Sequence, residues 1–258
     1  MDYQAITVDA RDDVVTITLN RPDKMNALST QMRAEITHAV RAAPEMGRVV
    51  VLTGAGRAFC SGQDLGDRAT GTNIDLERTL RDEYVPMLRA IIDCPIPTIS
   101  AVNGPAAGAG ANLALVADVV IASSEAYFVQ AFARIGLIPD AGGTWFLPRQ
   151  MGLARAMGAA LFTDKISAQQ AADWGMIYAV ADAAGFAGHV RERALQLASG
   201  PTATYAHIKT ALRASFDNSL EEQLELEAKL QGKCGKTRDF REGVVAFLEK
   251  RPARFEGR

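Results

Sequence analysis

The sequence has few of the residues that build disulfide frameworks and metal centres. Its 258 residues include three cysteines and three histidines. The cysteines, Cys60, Cys94 and Cys234, are odd in number and show no Cys-x-x-Cys spacing. This pattern argues against a disulfide-stapled fold and against a zinc ribbon. The histidines are scattered without a short metal-ligand spacing, so we expect no metal site.

The sequence also lacks a strong charge bias and a long apolar segment. Lys and Arg number 28 against 30 Asp and Glu, for a net charge of -2. This balance gives no reason to expect nucleic acid or an anionic membrane as a partner. No apolar run approaches the ~20 residues of a membrane-spanning helix. The first residues show neither the basic segment nor the apolar core of a secretory signal, so we expect a soluble cytoplasmic protein.

What the sequence does contain is a regular alternation of strand and helix patterns. Side chains of Val14–Leu19 alternate with the period of a strand, and Val49–Leu52 is a continuous apolar run typical of a strand buried on both faces. Further strands are predicted at Thr98–Val102 and Val119–Ala122, with a helical stretch over Asp75–Ile92. Strand and helix in this order predict an α/β fold with a parallel sheet.

The last third of the chain has mainly helical patterns. Ser167–Gln170 and Ser219–Glu222 read as capping boxes, each of which begins a helix. A final helix is predicted over Asp239–Lys250. We therefore predict a core over residues 1–200 and a C-terminal helical region over residues 201–258 that is used in oligomerisation.

Two glycine-rich turns follow predicted buried strands, at Gly56–Leu65 and Asn103–Asn112. Glycine lets the backbone approach a ligand closely, and two such turns on adjacent strands can direct two N–H groups at one point. A pair of tight turns without a ligand is the alternative. A dinucleotide site is disfavoured because the run from Gly108 lacks the third glycine of that fingerprint. Cys60, in the first turn, is interpreted as a buried thiol rather than a nucleophile.

Four segments in this order resemble the crotonase (enoyl-CoA hydratase/isomerase) superfamily: Leu19–Leu28, Phe59–Leu65, Ala101–Gly104 and Gly136–Thr144. The resemblance extends to Arg241–Arg251 and covers nearly the whole chain. It implies a ClpP-like spiral of ββα repeats with a C-terminal helical trimerisation region, assembled as a homotrimer or a dimer of trimers. It also implies an acyl-CoA thioester substrate, with coenzyme A as part of the substrate and no separate cofactor.

The resemblance implies a binding site for the thioester and for CoA. The thioester oxygen would lie between the backbone N–H groups of Gln63 and Ala109. Phe247 and Lys250 are among the implied contacts with CoA. Helix packing for Phe247 and a solvated charge for Lys250 are the alternative roles. The implied contacts with CoA are at Lys24, Met25, Ser61, Gly62, Asp64, Leu65, Phe247 and Lys250.

The same resemblance favours an isomerase over a hydratase. The two glutamates of family hydratases fall on Asn112 and Phe132, and neither an amide nor a phenyl ring can act as a carboxylate acid or base. One carboxylate, Asp140, lies where family isomerases place their acid/base. Ile138, Ala141 and Phe132 would partly desolvate Asp140 and raise its pKa. The alternative role of Asp140 is to cap the helix that begins near Thr144.

Within the superfamily, the chain is most similar to the isomerases that act on the ring epoxide of phenylacetyl-CoA in phenylacetate catabolism. Phe132 and Trp145 would suit an aromatic acyl group, and Asn112 is predicted to contact the substrate; core packing is the alternative for the two aromatic residues. The predicted function is a CoA-thioester isomerase that forms an oxepin from the epoxide or shifts a 3-enoyl double bond. An enoyl-CoA hydratase and a catalytically silent acyl-CoA-binding protein remain alternatives.

Overall fold

A computed structural model describes residues 2–66 and 75–258 of the chain. Its strands form a six-stranded sheet and a smaller three-stranded sheet. In chain order the strands are β1 (Ile6–Arg11), β2 (Val14–Leu19), β3 (Val49–Gly54), β4 (Thr98–Val102), β5 (Ala106–Ala107), β6 (Val119–Ser123), β7 (Tyr127–Val129), β8 (Ile166–Ser167) and β9 (Ala179–Ala181). The strands predicted at Val14–Leu19 and Thr98–Val102 are confirmed to the residue.

The helices surround these sheets, and two of them begin at the predicted capping boxes. Ser29 accepts the N–H of Met32, and both capping boxes, which begin at Ser167 and Ser219, form as expected. A π-helical turn, Leu80–Tyr84, joins the second and third helices. The helices are α1 (Thr30–Ala42), α2 (Leu76–Thr79), α3 (Val85–Ile92), α4 (Ala109–Leu115), α5 (Gly143–Met151), α6 (Leu153–Phe162), α7 (Ala168–Asp173), α8 (Phe186–Ala198), α9 (Thr202–Ala214), α10 (Leu220–Cys234) and α11 (Arg238–Glu249).

The larger sheet has the order β1-β2-β3-β4-β6-β9. β1 and β2 form an antiparallel hairpin, and each later pair is parallel. All four residues of Val49–Leu52 in β3 are buried, as a parallel strand covered on both faces requires. The predicted α/β fold with a parallel sheet is therefore confirmed.

The smaller sheet shows the predicted spiral. After β4 the chain forms β5 and then α4, and after β6 it forms β7 and then the 3₁₀-helix Ala131–Ile135. Single bridges between Leu28 and Gln63, and between Cys60 and Ala106, extend this second layer back to earlier turns of the chain. Successive turns thus repeat the order strand, short strand or bridge, helix, which confirms the spiral of ββα units.

An ionic cluster around Asp118 fastens α9 to the core. The Asp118 carboxylate accepts the N–H of Thr98 at 2.8 Å and contacts Lys209 at 2.8 Å and Arg213 at 2.7 Å. Lys209 also donates to the carbonyl of Ile96 at 2.9 Å. Helix α9 is therefore tied to the start of β4. The division into residues 1–200 and 201–258 stays a prediction.

Membrane-spanning helices are not found in the part of the chain that the structure describes. None of its helices combines the necessary length with sufficient apolar character.

We predict that Asp118→Ala lowers the free energy of unfolding by about 2–4 kcal/mol, because it leaves two partly buried cations without their counter-ion. Urea denaturation followed by circular dichroism measures this loss. Asp93→Ala is the matched control: Asp93 lies 4.0 Å from Arg89 in an exposed pair. The control should lose less than about 0.5 kcal/mol. Equal losses in the two variants would contradict the anchoring role of Asp118.

Candidate active site

The two glycine-rich turns lie against each other. Gly62, with a φ of +99°, is so close to the second turn that an added Cβ would be 2.9 Å from the carbonyl oxygen of Ala107. The same Cβ would be 3.5 Å from the nitrogen of Ala109. The Ala107 N–H donates to the Cys60 carbonyl at 2.9 Å, which joins the turns directly. A glycine is required at position 62 both by its left-handed conformation and by this approach.

Each of these turns carries a backbone N–H that is available to a ligand. Ala109 is the first residue of α4, so its N–H has no partner within the helix. Among the described residues, neither the N–H of Gln63 nor that of Ala109 has a hydrogen-bond acceptor. Two free donors on touching turns form an arrangement that can stabilise an oxyanion.

The two segments predicted to contact CoA are brought together at the rim. Ser61 donates its N–H to the Met25 carbonyl at 3.0 Å and its hydroxyl to the Lys24 carbonyl at 3.3 Å. The side chains of Lys24 and Met25 are exposed beside this junction. A ligand that contacts the 24–25 segment therefore also passes Ser61 and Gly62.

Asp64 and Leu65 continue this rim. The Asp64 carboxylate forms an ion pair with Arg21 at 2.8 Å. Burial alone would raise the pKa of Asp64, but hydrogen bonds from Arg21 and Gly66 and the charge of Arg21 lower it. The negative charge of Asp64 is thus used to hold the loop, and the exposed side chain of Leu65 is free to contact a ligand.

Asp140 has the electrostatic character expected of an acid/base. Its Oδ1 is buried and has no hydrogen-bond partner among the described residues. Burial raises the pKa of Asp140 to about 6. Ala141 and Phe132 are buried, whereas Ile138 is 77% exposed and does not shield the carboxylate as predicted. Helix α5 has Gly142 at its N-cap without a side-chain hydrogen bond, so the alternative of Asp140 as a helix cap is wrong.

The prediction that Asn112 contacts the substrate is not supported by its placement. The side chain is completely buried, and both of its polar atoms are bound by the protein. Its Nδ2 donates to the backbone carbonyl of Asp140 at 2.7 Å, and its Oδ1 accepts from Gln130 at 2.9 Å. Gln130 is not predicted as a site residue from the sequence. Its only local signal is an amide inside the apolar run from Tyr127 to Phe132.

Phe132 and Trp145 have different environments. The Phe132 ring is buried, and a Cβ on Gly108 would be 3.9 Å from its tip, so it borders the turn that carries Ala109. Trp145 lies in a groove of about 420 Å³ between α5 and α9 with Phe216, and the lining includes neither Asp140 nor Ala109. Within one chain the prediction of Trp145 as an acyl contact is therefore not supported.

Phe247 and Lys250 lie at the end of α11. The Phe247 side chain is 82% exposed, and Lys250 ends the helix in a left-handed conformation. The adjoining cavity is lined by residues of α9, α10 and α11 and includes neither Lys24 nor Ser61. A single chain thus does not join these two residues to the other predicted CoA contacts.

Two further side chains complete the surroundings of the turns. Cys60 is buried, donates to the Asn26 carbonyl at 3.1 Å, and has a pKa raised to about 12 by burial. The placement confirms that Cys60 is a buried thiol. Tyr84, which sequence analysis missed, is also buried and interacts electrostatically with Asp140, with the guanidinium of Arg33 4.8 Å from its ring centroid.

The chain belongs to the enoyl-CoA hydratase/isomerase family, whose profile matches residues 9–258. The resemblance to the crotonase superfamily is thereby confirmed, and the family is enzymatic. Among its relatives, a probable enoyl-CoA hydratase of Rhodobacter capsulatus is 57% identical over 258 residues, with both chains covered completely. The 1,2-epoxyphenylacetyl-CoA isomerase of Escherichia coli is 46% identical over 250 residues, which is 95% of each chain.

Solved structures show the same fold. The crystal structure of a putative enoyl-CoA hydratase/isomerase from Mycobacterium abscessus superimposes with a TM-score of 0.93 at 37% sequence identity. The superposition covers 98% of this chain and all of the other. The predicted crotonase fold is therefore confirmed.

We predict that Asp140→Asn stabilises the protein in a pH-dependent way. The raised pKa of about 6 means that the folded state favours the protonated carboxyl. Below about pH 4, Asp140 causes no loss in the free energy of unfolding. That free energy then falls as the pH rises through about 6, because the buried carboxyl must ionise. The stability difference between Asp140→Asn and the parent should therefore grow by about 2 kcal/mol from pH 4 to pH 8.

Urea denaturation at a series of pH values measures that difference. The exposed Asp164→Asn variant serves as the control and should follow the parent at every pH. A difference for Asp140→Asn that does not change with pH would show that the carboxyl is not perturbed by burial.

Proposed function

We propose that this protein is a CoA-thioester isomerase in which Asp140 is the acid/base and the N–H groups of Gln63 and Ala109 stabilise an enolate. The observation that carries the proposal is the buried, unpartnered Oδ1 of Asp140 on the loop that Asn112 holds to α4. A desolvated carboxyl with a pKa of about 6 is charged at neutral pH and can also return a proton.

The reaction moves one proton within one substrate. The thioester oxygen accepts both N–H groups, which lowers the free energy of the negative charge that develops on that oxygen. Asp140 takes the proton from the α-carbon of a 3-enoyl thioester, and the C–H electron pair enters the enolate. Protonation at C4 then breaks the 3,4 double bond and leaves a 2,3 double bond, without gain or loss of atoms.

Hydration needs groups that this site lacks. Family hydratases use two carboxylates, one for the water and one for the α-carbon, and those positions hold Asn112 and Phe132 here. The Asn112 amide is bound on both sides by protein groups, and Phe132 has no exchangeable proton. Asp140 alone can supply the single acid/base that isomerisation requires.

For the acyl group we propose the ring epoxide of phenylacetyl-CoA, which would open to a seven-membered oxepin, or a 3-enoyl chain. The 46% identity to the E. coli 1,2-epoxyphenylacetyl-CoA isomerase supports the first substrate. The buried ring of Phe132 beside Gly108 provides an aromatic wall near the thioester position. CoA enters as part of the substrate, with no separate cofactor.

A second candidate is an enoyl-CoA hydratase. The 57% identity to the probable enoyl-CoA hydratase of R. capsulatus favours it. The two activities differ in a direct assay, because hydration of crotonyl-CoA removes the absorbance of the conjugated enoyl thioester. Conversion of a 3-enoyl-CoA creates that absorbance.

We further propose that the protein acts in the cytoplasm as a homotrimer or a dimer of trimers, with residues 201–258 in the subunit contacts. Large apolar side chains on the outer helices support an assembly: Leu161, Phe162, Phe247 and Leu248 are between 68% and 82% exposed. Exposed apolar surface of this kind is covered in most stable proteins by another subunit or partner.

We predict that Asp140→Asn lowers isomerase turnover by ~10²-fold or more and leaves CoA-thioester affinity within a few-fold, because it removes only the proton-transfer group. Product identity from 3-enoyl-, 2-enoyl- and ring-epoxide phenylacetyl-CoA measures turnover, and calorimetry measures affinity. Asp164→Asn is the control.

Comparable turnover in Asp140→Asn would remove Asp140 from the mechanism. Hydration by the parent would favour the hydratase instead. Binding without turnover of any thioester in the parent would establish a silent acyl-CoA-binding protein.

We also predict an acid limb near pH 6 in the rate profile. As the base must be ionised, kcat/KM should be constant above about pH 7 and fall tenfold per unit below about pH 6. A pantetheine thioester, which carries no phosphate, excludes titration of CoA itself. A limb near pH 4, the usual range of a carboxyl, would show that Asp140 is not perturbed in the working enzyme.

A further inference from the structure

Behind Asp140 lies a buried pair of amides that takes no direct part in the proposed proton transfer. Asn112 on α4 and Gln130 just after β7 are both completely buried. Gln130 Nε2 donates to Asn112 Oδ1 at 2.9 Å, and Asn112 Nδ2 donates to the backbone carbonyl of Asp140 at 2.7 Å. The three residues form one chain of hydrogen bonds that ends on the acid/base residue.

The Asp140 carbonyl, the last acceptor in this series of hydrogen bonds, determines how both amides are oriented. A backbone carbonyl can only accept, so the NH₂ of Asn112 must face Asp140. The oxygen of Asn112 then faces Gln130, which must present its own NH₂. Each amide therefore has one possible orientation, and the second polar atom of Gln130, Oε1, stays buried without a partner among the described residues.

The same elements support the turn that carries the Ala109 amide. The Gly108 N–H donates to Val129, the residue before Gln130, at 2.8 Å. The Asn112 N–H donates to the Gly108 carbonyl at 3.2 Å, one residue before Ala109. The amide pair thus links the backbone of the proposed acid/base to the backbone of a proposed oxyanion donor.

The fit around Asn112 shows that this link is tightly packed. A Cβ on Gly143, three residues after Asp140, would overlap the Asn112 amide. The Asp140 carbonyl also accepts the Gly143 N–H at 2.8 Å, so the loop is held from two directions. The Asp140 carboxylate itself has an unpartnered oxygen, so its place depends on this backbone support.

We propose that Asn112 and Gln130 are positioning residues that hold Asp140 at a fixed place relative to the N–H of Ala109. On this view the amide at the position of a hydratase carboxylate has a use in the isomerase. This inference rests on the proposed role of Asp140. An ionised aspartate or glutamate at position 112 could not donate to the Asp140 carbonyl, so a restored carboxylate would disturb the acid/base rather than add a second one.

Tyr84, on the π-helical turn, is a titratable group that interacts electrostatically with Asp140, Cys60 and Arg33. Arg33 is paired with Glu83. Burial raises the pKa of both Tyr84 and Cys60, so both stay neutral between pH 4 and pH 8. Tyr84 and Cys60 therefore add no acid limb in this range.

The double variant Asn112→Leu/Gln130→Met tests the proposal. It replaces both hydrogen-bonding partners by apolar side chains of similar shape, which is close to neutral for stability. We expect kcat to fall by about 10–100-fold with KM within threefold, because a loosened loop misplaces the base. The acid limb should move down by about one pH unit as the carboxylate gains water. If the double variant keeps the kcat and the acid limb of the parent, the proposal is overturned.

Asn112→Asp is the second variant and needs no repacking. Once the new carboxyl is ionised, it keeps the shape and the acceptor for Gln130 but loses the donor to Asp140, so the same fall in kcat is expected at a pH where that carboxyl is ionised. An unchanged kcat in this variant would also overturn the proposal. Gln150→Met is the matched control, because Gln150 is another amide with a buried, unpartnered oxygen and it bonds to Leu115 instead. It should keep the parent kcat and acid limb.

Asp140→Asn, assayed in parallel, distinguishes a failure of the proposed function from a failure of the positioning role. If Asp140→Asn keeps its turnover, the proposed function fails, and the positioning role fails with it. If Asp140→Asn loses turnover and the double variant does not, the positioning role alone fails.

Discussion

The close approach of two backbone turns is the constraint on which the rest of this site depends. The turn after β3 and the turn after β4 come so near that a Cβ on Gly104 would overlap the Arg57 carbonyl, and one on Gly110 would overlap Cys60. The bridge between Cys60 and Ala106 forms only at this separation. The free N–H groups of the candidate oxyanion site follow from it, because they belong to neighbouring residues on these turns. The glycines thus supply proximity rather than flexibility.

Asp140, the proposed acid/base, lacks the partners that would stabilise its charge. Its buried Oδ1 has no partner in the described part of the chain, and desolvation raises its pKa to about 6. The environment of Asp118 is different, because its carboxylate binds Thr98, Lys209 and Arg213. The contrast follows from chemistry, since a paired carboxylate is a poor base and an unpaired buried one is costly.

Local features of the fold were predictable because their causes lie within a few residues. The Ser167 and Ser219 capping boxes, the strand over Thr98–Val102 and the buried run in β3 are all confirmed. The strands β5, β7 and β8 were missed, because two or three residues are too few to show a periodic pattern. The predicted acyl contact of Trp145 is not supported within one chain, because a residue type alone does not show which side of its helix the side chain will occupy.

The family, the glycine positions, the candidate carboxylate and the absence of the two hydratase glutamates could all be predicted, since each is a matter of residue identity and order. The inward orientation of Asn112 and its hydrogen bonds with Gln130 and Asp140 became known only from the folded chain. These bonds join residues 28 and 18 positions apart. Such contacts depend on which turns of the spiral lie next to each other. A local sequence pattern contains no information on the distance between two turns.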